Sequence, residues 1–456
     1  MTQSSARFLT GSTMGHVVKM TLTGSLGVTF MFLIDAANLF WVSLLGVERL
    51  VAALGFAWMI QFFAVSFGMG MMIAAIAAVS RLIGQSNRAE ARRQTTVCAI
   101  TAFLSQVAVA GLTLFFRHDL LALAGAEGQT AVEAARYLMI SMPSLPFMAI
   151  GMVGSAVLRA EGDAWRAMAV TLVSGMVSMV IDPFLIFQLG LGLDGAALAV
   201  VSARVLSACL SIYFVIKVHD LAARISFVDF KRLFPPFAVI AGPAVLTQLS
   251  TPFGNYIVTS VIAGFGDGAV AGWAVVSRLT VLAFGGLFAL SGAIGGIFGQ
   301  NYGAGRFDRV KRTYRDALIF CLVYTLIAWS LLATATGFVI TSFGLGAEAS
   351  KIISAFTLLA AGGWIFTGAL FVANSAFNSL GRPLWSTLFN WSRDGVILWP
   401  LAILFSGWFA STGAVYGQAL SGVIVGTAAA ITGWLYVTRL DRQGNAEYLT
   451  AKGDRK

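Results

Sequence analysis

The sequence predicts an all-α polytopic membrane protein with twelve transmembrane helices, arranged as two six-helix lobes related by a parallel internal repeat. Three observations carry that expectation: few charged residues, a one-sided placement of the basic ones, and short motifs that recur at one offset. Of 456 residues, 58% are hydrophobic and 11% are charged. A soluble domain has about 45–50% apolar and about 25% charged residues. The charges here are too few to solvate a globular surface of this size, which excludes a soluble enzyme, a secreted disulfide scaffold and a disordered chain. The formal net charge of +10 would point to nucleic acid only on a soluble surface. In a membrane protein the question is which loops hold it.

A helix needs about 20 predominantly apolar residues to cross the hydrocarbon core. Val97–Phe116 carries no charge and fits one crossing. Gly395–Thr438 is also uncharged but too long for one, and Ser411-Thr412-Gly413 is a natural break. The same reading throughout gives spans at 16–43, 50–80, 95–117, 131–158, 165–188, 194–217, 236–264, 268–300, 314–340, 351–379, 384–407 and 413–438. The first stretch is long, contains Asp35 and lacks an obvious cleavage site, so it reads as a span rather than a signal peptide. Cys98, Cys209 and Cys321 lie inside apolar runs, far apart, and read as small buried hydrophobes with neither a disulfide framework nor metal-ligand spacing.

The basic residues fix an orientation. The two termini and the even-numbered connections hold 23 of the 30 Lys and Arg residues. The odd connections hold four, Arg49, Arg117, Arg136 and Lys351, and three fall inside spans, Arg204, Arg278 and Arg393. By the positive-inside rule both termini are expected in the cytoplasm, with the chain in the inner (cytoplasmic) membrane. The same bias accounts for the net charge without nucleic acid.

The repeat emerges from matched motifs. Gly84-Gln85 after span 2 resembles Gly299-Gln300 in the expected loop after span 8. Leu45-Gly46 ahead of Val51-Ala52-Ala53 resembles Phe265-Gly266 ahead of Val270-Ala271-Gly272. Ser155-Ala156 before Gly162 resembles Ser375-Ala376 before Gly381, and Gly195-Ala196 resembles Gly413-Ala414. The offsets cluster between 215 and 220 residues, in a common order. The unit is six spans, so both copies share one orientation, the arrangement that places a cavity between two lobes for alternating access. The expected division is an N-terminal lobe at 1–217, a cytoplasmic linker at 218–235, a C-terminal lobe at 236–440 and a cytoplasmic tail at 441–456.

Ionisable residues inside spans mark the chemistry. Asp35 in span 1 costs a few kcal/mol to insert, about 2.5–3.5 on insertion scales, and reads as a proton or cation site. Asp182 in span 5 precedes Pro183, which removes a backbone donor and frees carbonyls a turn earlier. A carboxylate beside such carbonyls suits a proton or a hard cation. Low dielectric penalises the charged form of both acids, which suits proton uptake near neutral pH. Asp394 adjoins Arg393, but adjacent residues on a helix point about 100° apart, so each is expected to find another partner, on another helix more readily than both at a water-filled interface. Arg204 and Arg278 read as cations that satisfy carbonyls or reach an interface. Asn38, Ser155, Ser178, Arg278 and Asp394 complete the candidate polar lining. His16, His118 and His219 lie near span ends, and no catalytic or metal-binding motif accompanies them. The run Gly68-Met69-Gly70-Met71-Met72 reads as lipid-facing or cavity-lining.

Together these residues resemble the multidrug and toxic compound extrusion (MATE) family. The features are Asp35 with Leu45-Gly46 and Val51-Ala52-Ala53, Gly84-Gln85, Leu158-Arg159-Ala160-Glu161-Gly162-Asp163, Asp182-Pro183 and Gly192 with Gly195-Ala196-Ala197. The second half adds Arg278, Gly299-Gln300-Asn301-Tyr302-Gly303-Ala304 and Gly381-Arg382. The resemblance covers nearly the whole chain. It implies export of cationic or amphipathic compounds driven by inward H+ or Na+, with no cofactor and no enzymatic activity. Membrane lipid and small-molecule substrates are the expected partners of a monomer.

By position, Asp35 and Asp182 match the paired N-lobe acids of the bacterial and archaeal damage-inducible-type branch. That branch often has Asn one turn before the second acid, where this chain has Ser178, and Thr near Val200. Both departures weaken a sodium cage and favour protons. Other branches place acids in spans 7 and 10, where the nearest positions here are Thr251 and Ala369. The competing reading is a flippase for a lipid-linked oligosaccharide or cell-wall precursor of the same broad fold group. It should need several basic residues for a pyrophosphate, and only Arg204, Arg278 and Arg393 lie in spans. A membrane-embedded enzyme would need a nucleophile or metal constellation, and none is visible.

Overall fold

A computed structural model describes residues 6–344 and 346–453; at 32, 35, 343 and 445–453 it describes the backbone only. The first two spans are α1 (Thr13–Ser43) and α2 (Glu48–Gly84), and α3 (Arg88–Phe115) is the third. A short α4 (Arg117–Leu123) precedes span 4, which is two helices, α5 (Gly128–Ser141) and α6 (Leu145–Glu161). Span 5 is α7 (Ala164–Pro183) and span 6 is α8 (Gly192–Tyr213). Spans 7 to 9 are α9 (Phe227–Ala263), α10 (Asp267–Gly303) and α11 (Phe307–Phe343). Span 10 is α12 (Ala347–Leu358) with α13 (Trp364–Leu380), span 11 is α14 (Pro383–Trp391) with α15 (Leu398–Phe409), and span 12 opens α16 (Gly413–Gly453).

The helix ends follow from local chemistry. Asn87 caps α3 by accepting from the Glu90 amide at 3.2 Å. At the start of α9, Ser226 and Asp229 form a reciprocal capping box, each accepting from the other's amide at 3.1 Å. These caps start α3 and α9 several residues before the apolar stretches that marked spans 3 and 7. Charged first turns are tolerated because a helix can extend past the hydrocarbon core. Gly162 and Gly381 close α6 and α13 in the left-handed region, with φ of 91° and 93°, a conformation that glycine adopts without a Cβ penalty.

Interruptions also repeat. Span 4 breaks at a 3₁₀ turn over Met142–Ser144, beside Pro143 and Pro146, and span 10 breaks at Ala360–Gly363. A π-helical turn follows Pro183 at Phe184–Gln188, and another occupies Ser392–Ile397, upstream of Pro400. Proline removes one i→i−4 hydrogen bond, which accounts for register slips beside Pro183 and Pro400; a third π turn, Phe214–Val218, has no proline beside it. The break between spans 11 and 12 falls at Ala410–Thr412, where the sequence places it.

Spatially the described residues form two compact units. One contains the described residues of Met1–Ser25, Ser80–Ser86 and Leu246–Lys456, and the other contains Leu26–Val79 and Asn87–Val245. The boundaries 25/26 and 245/246 cut α1 and α9 at points 220 residues apart. With no hydrophobic drive between helices in lipid, association rests on close packing at small residues. In the second unit α6 meets α8 at Gly151 against Ser207 and Gly154 against Ser211. Its core gathers Val42, Leu121, Tyr137, Leu138, Leu145, Ile186, Ala196 and Ala197.

Two expectations are corrected here. Gly299-Gln300-Asn301-Tyr302 is not a loop but the last turn of α10. Gly299 lies against Ser80, Gly303 against the Arg81 carbonyl, and Gly84 against the Gln300 backbone. The glycines let two helix ends cross at backbone distance, which is why the motif stays helical. Cys209 is exposed, unlike buried Cys98 and Cys321, because it faces outward from α8.

Candidate functional site

Asp182 lies on the last turn of α7 and is fully buried. Asn38 of α1 donates its Nδ2 to Asp182 Oδ1 at 3.0 Å, while Oδ2 has no hydrogen-bond partner among the described residues. Gly175, two turns earlier on α7, sits against the Ile34 side chain of α1, so the two helices approach closely below the pair. Gly195 then brings the first turn of α8 against the backbone of Leu185 and Ile186 in the π turn; a Cβ there would lie 2.8 Å from Leu185. A buried carboxylate oxygen without a partner is costly when charged, so the arrangement can take up a proton or a cation.

The other candidates separate. The Asp35 side chain lies outside the described residues; its backbone is one turn before Asn38 on α1. Ser178 is buried one turn before Asp182, with its hydroxyl toward the Ala199 carbonyl at 3.5 Å. Ser155 is buried on α6. Arg278 is exposed on α10, with no hydrogen bond or ion pair among the described residues. Arg204 is occupied: it donates to Gln61 Oε1 at 2.7 Å, to the Ser141 carbonyl at 2.9 Å and to Ser144 Oγ at 3.0 Å.

Asp394 overturns an expectation. It pairs with its own neighbour: Arg393 Nε and Nη2 donate to Asp394 Oδ1 and Oδ2 at 2.7 and 2.8 Å. The π turn Ser392–Ile397 and the long arginine side chain let the guanidinium fold back, which α-helical geometry alone did not anticipate. Ser250 of α9 adds a hydrogen bond to Oδ2 at 2.9 Å, and both members of the ion pair are nearly buried.

Sequence reasoning missed the donor for Asp182 as a pairing, the role of Ser250, and a cluster outside the spans. There Asp163 caps α7 through the Arg166 amide at 3.1 Å and meets His219 Nε2 at 2.9 Å. Burial alone would raise the Asp163 carboxyl, but its hydrogen bonds from His219 and Arg166 hold it well below the usual carboxylate range. Arg88 donates to Glu161 at 3.1 Å and to the His219 carbonyl. The signal available was composition: a lone Gln61 or Ser250 in an apolar span demands a partner.

Gln300 and Asn301 have a separate task. Gln300 Oε1 accepts from the Phe8 amide at 3.0 Å, and Asn301 accepts from Arg309 Nε at 3.0 Å. Arg309 also donates to the carbonyls of Phe8, Thr10 and Gly11. The motif therefore anchors the segment before α1.

Comparisons with known proteins identify the family and the fold. The MatE family model matches twice, at residues 23–184 and 243–404, two copies 220 residues apart. A FAD transporter of Shewanella oneidensis is 26% identical over 419 residues, covering 90% of this chain and 92% of that protein. Multidrug export protein MepA of Staphylococcus saprophyticus is 23% identical over 414 residues, covering 88% and 89%. The crystal structure of a Vibrio cholerae MATE transporter mutant, 23% identical, superposes with a TM-score of 0.89 over 96% of this chain and 98% of that one. The fold is thus the two-lobe, twelve-helix architecture that the repeat predicts. With family matches over both halves of the chain, this protein belongs to the MatE family of multi-pass membrane transporters and is not an enzyme.

Proposed function

We propose that this transporter is a proton-coupled efflux antiporter for cationic or amphipathic small molecules, working by alternating access. The observation that carries the reading is Asp182, buried, with one oxygen held by Asn38 and the other without a hydrogen-bond partner among the described residues. Such a carboxylate changes its interactions on taking up a proton, and a ligand shifts a conformational equilibrium only through differential affinity for the two states. Asp35, one turn before Asn38 on α1, is the second coupling acid. Na+ is the less favoured ion, because Asn38 presents its nitrogen to Asp182 and Ser178 turns its hydroxyl to Ala199. The two lobes span 1–217 and 236–440, joined by the basic linker, and both termini face the cytoplasm from the inner membrane. The working unit is a monomer.

A second reading concerns cargo. The FAD transporter is a slightly closer relative than the MepA protein, which places a flavin dinucleotide among the substrates to be tested. Of the three in-span arginines, Arg204 is engaged by Gln61, Ser141 and Ser144 and Arg393 by Asp394; Arg278 alone is left for a phosphate, and a single cation favours the cationic class of cargo.

The test uses proteoliposomes loaded with a cationic dye, with FAD in a parallel set. A proton gradient and a sodium gradient are imposed separately on wild type, Asp35→Asn and Asp182→Asn. Dye movement driven by the proton gradient and lost in both variants is the expected result. Movement driven only by sodium overturns the ion assignment, FAD movement alone overturns the cargo, and wild-type transport by both variants overturns the site.

A further inference from the structure

We infer that the start of α11 and the middle of α16 form a binding site for an anionic phospholipid, distinct from the transport pathway and independent of the ion and cargo proposed above. A cavity of about 340 Å³ is lined by Asp308, Lys311, Arg312, Arg315, Trp434 and Asp441. Its volume is at the lower end of ligand pockets, ~300–1,000 Å³.

Three cations converge on it from α11. Lys311 pairs with Asp441 at 3.2 Å, and Arg315 pairs with Asp316 at 3.1 Å. Asp316 is shared with the Thr13 hydroxyl, and Asp308 faces Arg306 at 3.5 Å. Arg312 is exposed and makes no hydrogen bond or ion pair among the described residues. The carboxylates are therefore all engaged, and one guanidinium is left to a ligand. A planar guanidinium matches phosphate geometry through two parallel N–H donors.

Trp434 sets the depth. Its ring lies 5.8 Å from Lys311 Nζ, and tryptophan is enriched at the headgroup level of a bilayer. Close approach of the two helices fixes the pocket: Tyr314 donates to the Ala430 carbonyl at 3.0 Å, and Gly433 lies against the Tyr314 hydroxyl.

What commits the site to a lipid rather than a soluble phosphate is its continuation. From Arg312 and Arg315 the same face of α11 runs through Ile319, Leu322 and Leu326, all exposed. Their spacing of three and four residues makes one stripe. The stripe ends in a second, largely apolar cavity of about 380 Å³ lined by Leu326, Ile327, Ser330, Leu331 and Thr334. A basic head pocket joined to an apolar track is the shape of a phospholipid, with phosphate on the cations and an acyl chain along the helix. Basic pockets between transmembrane helices are the recognised chemistry for such headgroups.

The full-length protein in detergent, freed of co-purified lipid, is titrated with phosphatidylglycerol and phosphatidylcholine and monitored by native mass spectrometry. Wild type, Arg312→Gln/Arg315→Gln, Arg312→Lys/Arg315→Lys and Lys231→Gln are compared. The expected result is a preference for phosphatidylglycerol that falls about thirtyfold when both charges are removed. Lysine substitution should retain most of it, and Lys231→Gln should leave it unchanged. An equal fall in Lys231→Gln would mean diffuse charge attraction and overturn the site. Displacement by millimolar inorganic phosphate would assign a soluble ligand instead of a lipid. Should the double glutamine variant fail to fold, Arg312→Gln alone supplies the test, since Arg312 has no hydrogen bond or ion pair among the described residues.

Discussion

The first helix of each repeat touches the fifth through a polar side chain and a carboxylate, yet the two contacts differ in kind. In the first repeat Asn38 donates to Asp182; in the second Ser250 donates to Asp394. With the 220-residue offset of the family matches, Asn38 corresponds to Val258 and Asp182 to Ala402. The second contact therefore sits eight residues earlier on both helices, about 12 Å along the axis. Duplication preserved which helices pair and moved the rung at which they exchange a hydrogen bond. The chemistry moved with it. Asp394 has Arg393 as a bidentate partner and is already neutralised. Asp182 has one amide donor and an oxygen with no hydrogen-bond partner among the described residues. One carboxylate is held by an arginine and a serine; the other keeps an oxygen without a hydrogen bond among the described residues, the feature on which the proposed proton exchange rests.

That contrast can be broken most sharply by transport. Asp182→Asn should reduce dye efflux in proteoliposomes to background while the variant reaches the membrane and melts no lower than wild type, since the change removes an unsatisfied buried charge. Efflux at wild-type rates would place the coupling elsewhere.

Stability separates the second contact. Asp394→Ala leaves Arg393 buried without its counter-ion and should cost about 3–5 kcal/mol, read as a large drop in thermal unfolding temperature in detergent. Replacing both members, Arg393→Met with Asp394→Leu, should recover most of that loss, because a buried pair is often matched by packed apolar residues. A double variant as unstable as the single one would mean that the ion pair is not the source of the cost.

A third measurement contrasts these membrane acids with one outside the spans. His219 and Arg166 hold the Asp163 carboxyl low in the folded state. Its stabilisation is therefore complete above the ordinary aspartate range, near pH 4, and is lost as pH falls below it. Asp163→Asn should destabilise the protein by about 1–3 kcal/mol at pH 7, and the difference from wild type should narrow in acid. A gap that stays constant down to pH 3 would contradict the pairing.

The smallest effect is expected at Ser178. Its hydrogen bond to Ala199 is at the long limit, 3.5 Å, so Ser178→Ala should change stability by less than ~1 kcal/mol and leave proton-driven efflux intact. A loss of efflux comparable to Asp182→Asn would bring Ser178 into the ion site.

The sequence alone determined the membrane class, the twelve crossings and the repeat. Those properties are local or additive: hydrophobic length, the placement of lysine and arginine, and motif spacing can be read without knowing which helices touch. It also marked Asp182 as a residue out of place in an apolar span. Tertiary structure decided the partners. Asn38 meets Asp182, Arg204 is taken up by Gln61 and Ser144, Arg393 folds back onto Asp394, and Gln300 holds the Phe8 amide. Each pairing depends on the rung at which two helices meet and on turns such as Ser392–Ile397 that depart from α-helical register. A shift of one turn, about 5.4 Å, exceeds the reach of a hydrogen bond, and no one-dimensional pattern of apolar and polar residues carries that distance.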